Sequence, residues 1–247
     1  MKIDNALTRI VTVGMITALV TNSLLAVAHA TTPLSGEYDC QTGLLSSDDR
    51  STYTVTNGDV SFGNDCAGIL VIPAGVTSIG DSAFNSASGL TSITIPTSVT
   101  SIGNYAFFGT TGLTSITIPA DVTSIGNGTF EGATGLTSIT IPAGVTSIGN
   151  SAFAGATGLT SITIPAGVTS IGSGAFFGAT GLASIYFRGK APASVGGGAF
   201  YGVANGAKAH ISAIASGFGT DTSWNGLVVE RVVLKIRAAA KVKPNII

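Results

Sequence analysis

Apolar and polar residues along this chain follow a pattern that recurs every 23 residues. In the copy at residues 90–112, Leu90, Ile93 and Ile95 form an L-x-x-I-x-I run. This spacing places the two isoleucines on one face of a short strand, and their β-branched side chains favour extended backbone. Pro96 has no backbone N–H to donate, so it predicts the end of that strand.

A second apolar run completes the unit. Val99 and Ile102 are expected to point inward, Gly103 predicts a turn, and Ala106 and Phe107 are expected to fill the middle of the coil. A unit this small offsets the cost of ordering its chain only if neighbouring units cover its apolar residues on both sides. We therefore do not expect one copy to fold alone.

The same residue types return in register in later copies that begin at Leu113, Leu136 and Leu159. A degenerate copy occupies 67–89, and a drifting last copy starts at Leu182. A fixed period of this length is typical of a solenoid. The sequence thus predicts a mainly β fold of about six stacked coils with short parallel strands over residues 67–205.

The pattern L-x-x-I-x-I-P-x-x-V-x-x-I-G-x-x-A-F resembles the leucine-rich repeats of bacterial BspA-like surface proteins. This resemblance implies a right-handed, curved leucine-rich-repeat solenoid on a secreted or cell-surface protein, with adhesion or ligand binding as its role. The copies are unusually alike and poor in charge. For this reason the resemblance assigns no binding residue by position.

Residues 1–30 have the features of a secretory signal peptide. Lys2 and Arg9 precede an apolar core, and Ala28-His29-Ala30 matches a cleavage site. Interspersed polar residues argue against a transmembrane anchor. We expect no membrane-spanning segment once the signal is removed, and a secreted or cell-surface location.

An N-terminal cap is predicted over residues 31–66. Two alternating runs, 53–56 and 59–62, flank Asn57-Gly58, which is a favoured hairpin turn. Cys40 and Cys66 are the only cysteines, and one disulfide is the simplest interpretation for an exported protein. Free thiols or metal ligands are the alternative.

Several aspartates lie in the same cap. They follow no EF-hand-like spacing, so a solvated acidic surface is favoured over a calcium site. The cap residues concerned are Asp39, Asp48, Asp49, Asp59 and Asp65.

Threonine occupies three outward positions of each unit. Thr91, Thr94 and Thr100 represent these positions in one copy, and Thr117 and Thr140 continue the second of them. Exposed strand positions favour threonine for purely structural reasons. The functional alternative is a flat hydroxyl surface for a repetitive ligand such as a glycan chain, a fibrous protein or ice.

A few outward residues break this uniformity. Phe108, Phe177 and Tyr201 follow the core phenylalanines and could anchor a partner, although packing at a coil corner also explains them. Tyr186, Arg188 and Lys190 interrupt the surface near its C-terminal end. Because tyrosine and arginine are favoured at binding hot spots, these three are candidate ligand residues.

Catalysis has few candidate groups. Asp81, Asp121 and Glu131 fall at different repeat positions and form no carboxylate pair. His210 is the only histidine after the signal peptide and lies past the repeats, so we expect no Ser–His relay. Gly196-Gly197-Gly198 lacks the Lys-Ser/Thr that completes a phosphate loop. We expect neither an enzyme nor a cofactor.

The C-terminal part breaks the period. Residues 206–230 are predicted to form a C-terminal cap in which Phe218 and Trp224 cover the last coil. Residues 231–247 form a basic tail with five positive charges and no acid, suited to contact an anionic surface. A solvated chain end is the simpler alternative. The chain is otherwise mildly acidic, which argues against nucleic acid as a partner.

These observations favour a non-enzymatic module that binds an extracellular protein or glycan. A purely structural surface protein and an ice-binding protein that uses the threonine columns are the alternatives. A binding module predicts saturable binding to a macromolecule, and an ice-binding protein predicts thermal hysteresis. A structural protein predicts neither.

We predict that the exported protein begins at Thr31, because the Ala28-His29-Ala30 site precedes it. Mass spectrometry of secreted material measures this directly. Recovery of an intact Met1 on membrane-held protein would show that the segment is an anchor.

Overall fold

The computed structural model describes residues 35–40, 52–56, 58–61, 63, 66–219 and 222–232. The predicted signal peptide and all but the first two residues of the basic tail lie outside the described residues. The described chain contains no helix and is built from short strands. This architecture confirms the predicted strand-rich solenoid.

The N-terminal cap is a three-stranded antiparallel sheet. Its strands are β1 (Gly36–Asp39), β2 (Thr52–Thr56) and β3 (Asp59–Ser61). Thr56 pairs with Asp59, so a two-residue connection joins β2 and β3, which confirms the predicted hairpin. The sequence did not reveal β1, which pairs with β2.

Each of the six coils that follow contributes two strands, and the C-terminal cap contributes the last three. In chain order the fifteen remaining strands are β4 (Gly68–Val71), β5 (Ser78–Ile79), β6 (Leu90–Thr94), β7 (Ser101–Ile102), β8 (Ser115–Thr117), β9 (Ser124–Ile125), β10 (Ser138–Thr140), β11 (Ser147–Ile148), β12 (Ser161–Ile164), β13 (Ser170–Ile171), β14 (Ser184–Phe187), β15 (Ser194–Val195), β16 (Lys208–Ser212), β17 (Ser223–Trp224) and β18 (Leu227–Val232).

These strands stack in two ladders. The front face consists of two sheets, β4-β6-β8-β10 and β12-β14-β16-β18-β17, that meet between β10 and β12. The side face runs through β5, β7, β9, β11, β13 and β15, and the cap strand β3 extends it by pairing with β5. All neighbouring coils pair in parallel, as in the register of Ile139 with Ile116.

A third side of each coil, the turn face, carries the Ala-Phe pair. Its backbone is also bonded from coil to coil, since the Phe107 N–H donates to Thr129 O at 2.9 Å and the Phe130 N–H to Ala152 O at 2.8 Å. The rings of successive core phenylalanines stack with centroids 5.2 to 5.5 Å apart. These rings form one continuous column through the molecule: Phe84, Phe107, Phe130, Phe153, Phe176 and Phe200.

Aromatic side chains close both ends of the column. Tyr53 contacts Phe84 edge-on at 6.2 Å, and Trp224 lies 6.1 Å from Phe200. Phe218 is buried and packs against Trp224 at 4.9 Å. The two C-terminal aromatic residues therefore cover the last coil as predicted.

The invariant glycine of each unit has a different role from the one predicted. Gly103 was expected to supply a turn, but it does not adopt a positive φ. A Cβ there would lie 2.5 Å from Asp81 N, and one at Gly149 would lie 2.6 Å from Gly126 O. Glycine is needed because neighbouring coils approach too closely for any side chain.

An asparagine ladder follows this glycine. Asn104, Asn127 and Asn150 each accept, through Oδ1, the backbone N–H of the next coil at 2.8 Å. Asp81 begins the ladder by accepting from the Asn104 N–H. Side chains thus replace a backbone acceptor at a point where the strands have ended.

We predict that the phenylalanine column dominates stability. Phe130 and Phe153 are fully buried between neighbouring rings, so Phe→Ala at either position should cost about 3–5 kcal/mol. Phe108→Ala should cost much less, because that ring is only half-buried. Urea denaturation of the three variants measures the difference, and equal losses at 108 and 130 would contradict it.

Cys40 and Cys66 form a disulfide that spans 26 residues. Cys40 also joins the cap to the first coil, because its carbonyl accepts the Val71 N–H at 3.1 Å. Replacing both cysteines by serine should lower the free energy of unfolding by about 3 kcal/mol, through the larger entropy of the unfolded chain. Urea titrations of oxidised wild type and the double variant test this, and coincident curves would show that the bond adds no stability.

Candidate ligand-binding site

The threonine columns differ in what their hydroxyl groups do. In the first column, the Thr137 hydroxyl donates to Thr114 O at 3.0 Å, and Thr91 likewise donates to Gly68 O. In the third column, the Thr146 and Thr169 hydroxyls reach the preceding coil at 3.3 Å. These two columns satisfy backbone carbonyls, which supports the structural interpretation of their threonines.

The second column remains available to a ligand. Its hydroxyls belong to Thr94, Thr117, Thr140 and Thr163, and none has a hydrogen-bond partner among the residues that the structure describes. The first three of these residues are exposed and the fourth is half-buried. Of the three threonine surfaces, this one can offer free hydroxyls.

At the C-terminal end, the second column no longer consists of threonine. Thr163 pairs in register with Tyr186, Tyr186 with His210, and His210 with Glu230. A row of identical small hydroxyls therefore ends in a ring, an imidazole and a carboxylate on three adjacent strands. Alternation along the strands keeps all of them outside, while Ile185 and Phe187 point into the core.

Tyr186 and His210 form a flat platform. Their rings are stacked with centroids 4.5 Å apart and planes 14° from parallel, and the tyrosine is 37% exposed. The imidazole is held on both sides, since its Nε2 lies 3.2 Å from Ser184 Oγ and its Nδ1 lies 3.3 Å from Glu230 Oε2. The platform is therefore fixed before any ligand arrives.

Glu230 links the platform to a cation. Its Oε2 lies 3.2 Å from Lys208 Nζ as well as near His210, so one carboxylate oxygen faces two nitrogens. Neither contact has the alignment of a hydrogen bond, so the attraction between this carboxylate and Lys208 is electrostatic. The side chains of Lys208 and Glu230 are both about half exposed, so this ion pair contributes little to stability.

His210 lies past the repeats in sequence, as noted above, yet the fold places it next to a serine. Strand β16 continues the front face and brings His210 beside Ser184. The order Ser184–His210–Glu230 matches a catalytic relay, but the Ala183 and Ser184 amides both donate to Thr160 O. These nearest amides cannot also stabilise an oxyanion. The contacts with Ser184 and Glu230 orient the imidazole.

A shallow groove of about 350 Å³ adjoins the platform. Tyr186, Arg188, His210 and Ser212 line it, with Val232 at its edge. The structure thus brings two sequence-predicted residues, Tyr186 and Arg188, together with residues that sequence reasoning missed. Lys190 is exposed two positions after Arg188 but does not line the groove.

The remaining predicted aromatic residues lie on the turn face. Phe177 and Tyr201 stack at 5.6 Å and are 52% and 70% exposed. Phe108 instead packs edge-on against Tyr105 at 6.2 Å, three coils away from Phe177. The predicted candidates therefore occupy two separate surfaces.

The described residues include no cluster of three histidine, cysteine, aspartate or glutamate side chains that could hold a metal. A search of the same residues finds no helix long and apolar enough to cross a membrane.

Comparison with known proteins agrees with the repeat architecture. The family model described as a BspA type leucine-rich repeat region, with six copies, matches residues 57–183 and 147–219. No curated protein matches the chain.

Two solved structures are similar to this one. A leucine-rich repeat protein from Bacteroides ovatus ATCC 8483 shares 31% identity over 70% of this chain and 46% of its own, with a TM-score of 0.53. The leucine-rich repeat protein of T. pallidum shares 25% identity over 66% of this chain and 83% of its own, with a TM-score of 0.54. The chain spans less than half the length of the Bacteroides protein. Since the family model covers more than half of the chain, the protein belongs to the BspA-type leucine-rich repeat family.

Proposed function

We propose that this protein is exported and acts at the cell surface or outside the cell as a non-enzymatic module that binds a protein or glycan. The family assignment and the signal-like residues 1–30 support export. The solenoid supports binding, because repeat folds present long, regular surfaces to macromolecules. The ligand site that we propose is the Tyr186–His210 platform with the adjoining groove.

The carrying observation is the change in the second threonine column. Over four coils this column presents only threonine, and on the next three strands it presents Tyr186, His210 and Glu230. Parallel strand pairing continues through β16 and β18, so the pairing itself does not require the change of residue type. An exposed, immobilised aromatic platform costs little side-chain entropy when a ligand binds, which favours a recognition role.

Charge indicates what kind of group the ligand carries. Among the described residues, every lysine and arginine lies between 188 and 231: Arg188, Lys190, Lys208 and Arg231. The Arg231 guanidinium donates to Gly219 O at 2.7 Å, so it holds the C-terminal cap. The other three are exposed, Arg188 lines the groove, and Glu230 is the only acid among the described residues from 184 onward. We infer a ligand with an acidic group, such as a carboxylate, next to an apolar face that stacks on Tyr186.

The second threonine column supports one further candidate. Its free hydroxyls form a regular row, so a repetitive ligand, including ice, could contact every coil. In that case the affinity depends on the number of coils, whereas a platform ligand depends on Tyr186 and Arg188.

We predict that Tyr186→Ala combined with Arg188→Ala weakens ligand binding by roughly thirtyfold, the factor that a hot-spot loss of about 2 kcal/mol represents. The ligand is first found by screening the secreted protein on glycan and extracellular-protein arrays. Titration calorimetry then compares wild type and variant.

Two matched variants separate the surfaces. Deleting 136–158 removes one coil, and Thr117→Lys with Thr140→Lys blocks the second column, but both leave the platform intact. These variants should bind like wild type. If the coil deletion and the double lysine variant instead lose affinity while the platform variant binds normally, the binding site is the second threonine column. A failure of all three changes to affect binding would exclude both surfaces.

A further inference from the structure

The two ends of the solenoid have opposite steps. At the C-terminal end the side face stops at β15, while the front face continues through β16, β18 and β17. At the N-terminal end the front face starts at β4, while the side face extends outward through β3, β2 and β1. Each end therefore has one ladder that projects beyond the other.

The steps have the same height. Three strands project on the front face at one end, and three project on the side face at the other. With neighbouring strands about 4.8 Å apart, each step is about 14 Å high. If one copy is placed on another along the solenoid axis, the projecting strands of each fill the recess of the other.

Backbone donors in the C-terminal recess have no partner. On the preceding coil, the Gly174, Phe176 and Gly178 amides donate to carbonyls of the next coil at 3.0, 2.7 and 2.8 Å. The equivalent amides of the last coil belong to Gly198, Phe200 and Gly202. These three donate to no acceptor among the residues that the structure describes.

Among the described residues, the recess is open and has no charged lining. It has a volume of about 500 Å³ and lies between residues 195–206 and the turn at Asn225 and Gly226. Its lining contains no charged side chain, so it does not select a free anion. On every earlier coil, the turn segment of the next coil supplies carbonyl groups to the equivalent row of alternate N–H groups, so the exposed row can accept the backbone of another polypeptide.

The two ends of the solenoid also differ in charge. Among the described residues, positions up to 183 carry six acidic side chains and no basic one, whereas positions from 184 onward carry four basic side chains and one acidic one. Glu37 and Asp59 belong to the projecting N-terminal strands, and Lys208 and Arg231 belong to the projecting C-terminal strands. The ends of two copies therefore attract each other.

We propose that the protein associates head to tail, with the N-terminal end of one copy seated on the C-terminal end of the next. Strand β15 then meets β1 of the second copy, and β17 meets β4. The front contact is restricted to residues 68–70, because the Val71 N–H is already donated to Cys40 O. Such an interface is heterologous, so it leaves a free end on each copy and builds chains rather than closed dimers.

Sedimentation velocity of the secreted wild-type protein over a wide concentration range tests the proposal without any ligand. The weight-average mass should rise with concentration and fall when salt is added, because opposite charges meet at the contact. A protein that stays monomeric at every concentration would overturn the proposal. The two proposals are tested independently. A monomeric protein would not contradict ligand binding at the platform, and a failed ligand screen would not contradict head-to-tail association.

Gly197→Glu blocks the recess selectively. A Cβ at Gly197 meets no atom within 4 Å and the residue does not have a positive φ, so the monomer should accept the change. The added carboxylate enters the recess and faces the acidic end of the second copy. It should raise the concentration of half-association at least about tenfold. Ala143→Glu adds the same charge at an exposed mid-solenoid position and should leave association unchanged.

A mixing experiment establishes the direction of the contact. Glu37→Lys, on the projecting N-terminal strand, should block the opposite end, with thermal melting used to verify that the variant is folded. At the concentration where the wild type is half associated, each variant alone should be mainly monomeric, but Gly197→Glu mixed with Glu37→Lys should form one-to-one dimers through the intact end of each. Association that Gly197→Glu leaves unchanged, or a mixture that stays monomeric, would overturn the head-to-tail arrangement.

Discussion

No coil of this protein can bury its own core, and the structure depends on the contact between neighbouring coils. Phe130 illustrates the constraint, because both faces of its ring are covered by rings of other coils and none by its own. Each coil is bonded to the next on three sides: strand ladders on two and backbone bonds at the turns on the third. Stability is then a sum over nearest neighbours, and the ends need separate covers.

This dependence explains why most of the surface is uniform. A side chain that supports stacking must recur at every coil, and Asn127, Thr137 and Gly149 each act on the preceding or following coil. Residues under this constraint are not free to specialise for a ligand. This constraint is consistent with our proposal that recognition takes place where the repeat ends, at the platform of Tyr186 and His210.

Much of the fold could be predicted from sequence because local chemistry and period determine it. The strand after Leu90, the Asn57-Gly58 hairpin and the aromatic cover by Trp224 all follow from short patterns. The site was only half predictable. Tyr186 and Arg188 differ visibly from their repeat equivalents, but the contacts of His210 depend on β16 and β18 joining the front face after the period has changed. When two segments do not share a period, their residue spacing does not tell which residues pair across the strands. That pairing is set by the tertiary structure.

The caps of this molecule cover the apolar core without ending the sheets. Tyr53 and Trp224 seal the aromatic column, yet β1 and β17 remain sheet edges, and exposed edges normally carry a risk of uncontrolled pairing. Here the edges are only two to four residues long, the ends differ in charge, and the steps fit in one direction only. Such features allow a single mode of stacking in place of many. In a head-to-tail chain of copies the platform would recur at a fixed interval along one face, and a repetitive surface ligand would be bound with an avidity that no single site provides.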